Sequence, residues 1–148
     1  MKFAWLALTV FIAVGIFVSS SISGEYSGYA SMAVAETFRR VLQIEYDTIS
    51  AATLNFILRK FSHLVVYFAL SFCLANYLKF ITESRRNLFL AAWLLASAYG
   101  VIDEIHQYFV PGRVMTASDM LINAVGAAAG VAAVLLWLRR RGKLGGAM

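Results

Sequence analysis

The chain has 148 residues, of which 61% are apolar and 14% charged, with a single proline and a mean hydropathy of +0.73. These values lie well outside those of a soluble domain and call for lipid as solvent. A span takes about 20 residues, so the length accommodates one domain of about four helices and leaves no room for a second. The net charge of +5 does not point to nucleic acid, because the Lys and Arg residues stand beside apolar runs and no basic strip is free of them. Cys73 is the single cysteine. It forms no intramolecular disulfide and reads as a helix-packing residue.

The first apolar run covers residues 3–20. It is longer than a usual signal-peptide core, and the Ser19–Ser21 stretch behind it lacks an A-x-A site, which favours a retained anchor over a cleaved leader. Between it and the next span, Val34, Phe38, Val41 and Leu42 recur at helical spacing, with Arg39, Arg40 and Gln43 turned elsewhere. This predicts an interfacial helix, with a surface helix packed on the bundle as the alternative. Three further spans are expected at about 61–81, 88–108 and 117–138. The predicted fold is therefore all-α: a four-helix transmembrane bundle with an interfacial helix between the first and second spans, forming a single domain over residues 1–148.

Orientation follows from the distribution of basic residues. With a cytoplasmic N-terminus, Lys2, Lys79, Arg85, Arg86, Arg139, Arg140, Arg141 and Lys143 fall inside, and Arg39, Arg40, Arg59, Lys60 and Arg113 outside. Eight against five, together the 13 basic residues of the chain, favours both termini in the cytoplasm and a multi-pass protein of the inner (plasma) membrane.

Once the spans are drawn, the ionisable residues collect at one end. Lys60 and His63 open the second span. Asp103, Glu104, His106 and Gln107 close the third, Pro111-Gly112-Arg113 makes the turn, and Asp119 and Asn123 open the fourth. Lys60, His63 and Tyr67 share a helix face, as do Tyr99, Asp103 and Gln107, and as do Asp119, Asn123, Gly126 and Gly130. An Asp, Lys or Arg at the centre of a membrane helix costs about 2.5–3.5 kcal/mol, so these groups are expected to face one another. Gly126 and Gly130 form a GxxxG pair whose simplest role is close helix packing.

The ordered set Arg59-Lys60-x-x-His63-x-x-x-Tyr67, then Asp103-Glu104-x-His106-Gln107-x-Phe109-x-Pro111-Gly112-Arg113, then Asp119-x-x-x-Asn123-x-x-Gly126, resembles the signature of the VanZ-like membrane protein family. The resemblance covers residues 59–130, about half the chain. It implies a multi-span bacterial membrane protein with a cell-envelope role, in a family named for a member associated with resistance to the glycopeptide teicoplanin.

Three function classes are consistent with these residues. The first is a protein that binds an anionic envelope lipid, a lipid-linked precursor or another cell-wall-related ligand, with Lys60, Tyr67, Gln107, Arg113, Asp119 and Asn123 as the binding set. Here Arg113 acts through its planar fork or pairs with a carboxylate. The second is a membrane enzyme acting on a lipid head group or lipid-linked precursor, with His63, Asp103 and Glu104 moving protons. No nucleophile elbow is present to strengthen it, and Ser118 beside Asp119 is a weak substitute. The third is a proton-linked carrier, for which Ser97 and Asn76 leave too sparse a polar path. A metal site from His63, His106, Asp103, Glu104 and Asp119 has usable ligands, but Lys60 and Arg113 oppose a cation. No cofactor, metal or nucleic-acid partner is therefore expected.

Overall fold

In the computed structural model, residues 1–45 and 49–141 are described. They form five helices and no strand: α1 (Lys2–Ser21), α2 (Gly24–Val41), α3 (Ala51–Leu78), α4 (Arg85–Tyr108) and α5 (Ala117–Arg140). Four of these, α1, α3, α4 and α5, are long and apolar enough to cross a membrane. The expected bundle with an intervening helix is thus observed. Lys143 lies outside the described residues.

The helix starts are set by side chains. Ser50, Ser84 and Thr116 each accept a hydrogen bond from a backbone N–H of the following first turn, at Thr53, Asn87 and Asp119 respectively. Capping corrects the expected second span, placed at 61–81: α3 begins ten residues earlier, at Ala51, and ends at Leu78. Residues 51–58 contain no helix breaker and are separated from the long apolar run only by the charged pair Arg59 and Lys60, so the helix carries that pair on its outer turns. Beyond Leu78 the chain tightens into a turn, with Ile81 donating back to the Leu78 carbonyl at 2.9 Å.

Helix α3 is the hub and touches each of the other four helices. Small residues permit this. A Cβ added at Gly126 would run into the Leu64 carbonyl, and one at Gly130 into the Phe68 carbonyl and the Ser71 hydroxyl, so the glycine pair presses α5 onto the α3 backbone. Below this contact, Ala75, Leu78, Leu88, Ala92, Val131, Val134 and Leu138 form a dry core. Polar ties reinforce it: the Trp93 indole donates to the Ala124 carbonyl at 3.0 Å, and the Tyr99 hydroxyl to the Ala13 carbonyl at 2.6 Å. Cys73 is buried in this packing. At the same end as the dry core, Lys79 lies over the rings of Trp5 and Trp137, an aromatic-basic belt of the kind found at head-group level.

Helix α2 packs on the bundle through a face other than its apolar stripe. Its packed face is Ala35 and Arg39, the latter only 8% exposed, whereas Phe38 and Val41 are 47% and 74% exposed. Arg39 turns inward because Glu36, one turn earlier, pairs with it at 3.0 Å and the Ile44 carbonyl accepts from it at 3.3 Å. The apolar stripe is left facing outward, which favours the interfacial reading over a helix packed by its apolar face.

Replacing Gly130 with Val is expected to lower the unfolding free energy by about 1–3 kcal/mol through overpacking. Gly15→Ala, where an added Cβ meets nothing within 4 Å, is expected to leave stability unchanged or slightly raised. Thermal unfolding in detergent, read by circular dichroism, compares the two.

Candidate functional site

The alternation of helix directions brings the outer turns of α3, the last turns of α4 and the first turns of α5 to one end of the bundle. Their polar groups separate into two connected layers. In the first, between α3, α4 and α5, Lys60 forms an ion pair with Asp119 and donates to the Ser118 hydroxyl at 2.9 Å. His63 Nδ1 meets the Asn123 amide oxygen at 3.1 Å. Glu104, fully buried, accepts from the Thr116 backbone N–H at 3.1 Å, which ties the end of α4 to the start of α5. His63, Glu104 and Asp119 each direct a ring nitrogen or carboxylate oxygen to one spot, all within 4.8 Å of one another.

The second layer lies between α1, α3 and α4. The Gln107 amide donates to Asp103 at 3.1 Å, to Ser20 at 3.3 Å and, at the 3.5 Å limit, to Glu104. Tyr67, 1% exposed, lies with its hydroxyl against Asp103, short of full hydrogen-bond geometry. Nearby, His106 is taken up by α1: it stacks on Phe17 at 4.7 Å and meets the Ser21 hydroxyl at 3.1 Å. The five-residue metal set considered from the sequence is therefore not assembled, since His106 and Asp103 stand outside the His63 cluster and Lys60 already supplies positive charge to Asp119.

Arg113 does not pair with a carboxylate. Its guanidinium donates to the Ser19 carbonyl at 2.8 Å and the Ile22 carbonyl at 3.1 Å, capping the open carbonyls at the C-terminal end of α1. The same turn holds α2: Gly24 donates its N–H to the Pro111 carbonyl at 2.9 Å. A Cβ at Gly24 would collide with Gly112, which itself adopts φ +73°, a conformation suited to glycine. Pro111-Gly112-Arg113 is thus a clamp on the elbow between α1 and α2. Burial lowers the Arg113 pKa, the neighbouring Arg59 charge lowers it further, and Asp103 and Glu104 oppose the change. The group stays cationic at neutral pH because an arginine starts far above it.

The clamped elbow encloses a cavity of about 370 Å³ walled by α1, α2, α3 and α4. His63, Tyr67, Asp103, Gln107 and Arg113 line it, while Lys60, Glu104, Asp119 and Asn123 do not. Arg59, Tyr26 and the serines at 19, 20, 27, 31 and 62 complete the polar lining. Arg59, which opens the family signature, was not among the expected binding residues, nor were the α1 serines. Arg59 was detectable, since it stands at i, i+4 and i+8 with His63 and Tyr67 and shares their face, whereas Lys60 is rotated toward α5. The serines of α1 carry no such signal: the orientation puts the end of the first span at the polar face, but nothing in the sequence says which helices it packs against.

A family model described as VanZ/LLP1 matches residues 5–138. The chain belongs to the VanZ/LLP1 family. No curated protein and no solved structure matches it. The VanZ/LLP1 match extends through α1 and α2, well beyond the signature segment, in keeping with the part those helices play in walling the cavity.

A double-mutant cycle on Lys60→Ala and Asp119→Ala is expected to return a coupling of about 0.5–3 kcal/mol, because each single variant leaves the other charge unpaired in a largely buried place. Denaturant unfolding in detergent reads it, and additive single effects would show the pair to be immaterial.

Proposed function

We propose that this VanZ/LLP1-family protein binds the phosphate-bearing head group of an envelope lipid or lipid-linked precursor in the cavity under α2, at the extracytoplasmic face of the plasma membrane. The supporting observation is the pair Arg59 and Arg113, two guanidiniums that line one cavity and lie near enough for the charge of one to lower the pKa of the other. Like charges brought together beside a cavity favour an anion between them, and a guanidinium fork suits phosphate. Lys60, counted with Arg113 as a binding residue on sequence grounds, is neutralised by Asp119, so its share of the anion passes to Arg59. Tyr67 and Gln107 contribute polar lining, while Asp119 and Asn123 support the site by holding Lys60 and His63. Both termini then lie in the cytoplasm, as the basic-residue bias favours. A link to glycopeptide (teicoplanin) resistance is part of this proposal only through a cell-wall-related ligand held at that face.

A second reading, an enzyme acting on the bound head group, draws on one observation. His63 lines the cavity and also converges with Glu104 and Asp119, an arrangement suited to moving protons between a ligand and a carboxylate.

Native mass spectrometry of the detergent-purified protein distinguishes these readings from a purely structural network. Arg59→Ala, a change at an exposed side chain, is expected to lower co-purified phospholipid or lipid-linked precursor about tenfold or more, the effect of losing one charge-assisted contact. Equal retention by wild type and variant would contradict the anion site. In the enzyme reading His63→Gln retains the ligand but abolishes its conversion, followed by mass change of the bound species.

A further inference from the structure

The polar groups of the cavity differ in exposure: Arg59 is exposed and Arg113 half-buried, whereas Asp103 and Tyr67 are 5% and 1% exposed, and all four line the cavity. Among the other carboxylates, Asp119 is matched by Lys60, and Glu104 is held by the Thr116 N–H beside His63. Asp103 has no basic side chain bonded to it; the Gln107 amide donates to its Oδ2. The Tyr67 hydroxyl lies against Asp103, buried and with no partner at full hydrogen-bond geometry, so its oxygen is open to a donor. Buried acceptors left short of donors are costly, more so for a carboxylate than for a neutral group. A wholly anionic head group entering this cavity would bring negative charge toward Asp103 and worsen the deficit.

We propose that the cavity selects an aminophospholipid: a zwitterionic head group whose phosphate lies between Arg59 and Arg113 and whose primary ammonium reaches the buried Asp103 and Tyr67. This rests on the phosphate reading above and adds the second half of the head group. An ammonium carries three donors and one positive charge. It supplies Asp103 with a counterion and Tyr67 with a donor in one step, which a glycerol or bare phosphate head group does not. The lipid source, as opposed to a free amino-phosphate, follows from Val34. This residue lines the cavity and also an apolar groove along α2 formed with Ala33, Thr37, Phe38 and Val41, a surface on which hydrocarbon chains can lie while the head group turns inward.

The test uses the full chain in detergent, incubated with an equimolar mixture of acyl-matched phosphatidylethanolamine, phosphatidylglycerol and phosphatidic acid and read by native mass spectrometry. Wild type is expected to retain phosphatidylethanolamine about tenfold over the other two, the effect of one charge-assisted hydrogen bond. Asp103→Asn is expected to erase that preference. Tyr67→Phe, which removes only an oxygen, is expected to reduce it without changing the thermal unfolding midpoint, so that loss of fold is not mistaken for loss of selectivity. Arg59→Ala is expected to lower all three lipids together. Equal retention of the three by wild type, or an unchanged preference in both Asp103→Asn and Tyr67→Phe, overturns the aminophospholipid assignment and leaves the phosphate reading standing. Failure of wild type to retain any of them overturns both.

Discussion

A charged side chain in hydrocarbon has no water to solvate it, and this constraint organises the rest of the molecule. The energetic cost is a few kcal/mol per group, a large fraction of the stability of any small protein. The chain meets it by gathering its intramembrane carboxyls at one end of the bundle, where antiparallel helices bring Lys60 to Asp119 and His63 between Glu104 and Asp119. The other end holds a dry core with an aromatic-basic belt. Apolar and polar functions are thus separated along the membrane normal, and close packing of α5 on α3 through Gly126 and Gly130 is what sets the two halves of the polar cluster in register.

Pairing does not use up every group. Arg113 spends its hydrogen bonds on the carbonyls of Ser19 and Ile22, which are neutral, so its charge is not cancelled by the bond. Arg59 stands at the same cavity. The side chain that clamps the α1–α2 elbow therefore also brings a cationic group to the cavity lining. His63 lines the same cavity and also stands beside the carboxylates of Glu104 and Asp119.

The spans, the interfacial helix and the one-ended collection of polar residues were legible in the sequence because hydropathy and helical period act directly on them. The family signature was legible for a similar reason: its residues recur at fixed spacing along three helices. Four things were not. The charged pair Arg59 and Lys60 interrupts the apolar run of α3, so hydropathy alone starts the helix ten residues late, although Ser50 marks its true start. Arg113 has carbonyl partners on α1, and backbone acceptors leave no trace in side-chain identity. Arg59 and Lys60 are neighbours in sequence but point about 100° apart on a helix, so which of them faces the cavity depends on how α3 is rotated against α5. Arg39 adds a fourth case, an arginine turned inward by its own Glu36 against the pattern of the surrounding apolar residues.

The account depends most on the cavity being reachable from outside the cell. It is tested directly by cysteine labelling in intact cells, with Cys73→Ser as background. Ser31→Cys places a thiol in the α2 wall of the cavity, and Glu83→Cys places one in the exposed turn between α3 and α4. Modification of the first by a membrane-impermeant maleimide, with the second modified only after the membrane is permeabilised, is the predicted result. The reverse pattern would put the polar cluster on the cytoplasmic side and contradict the account.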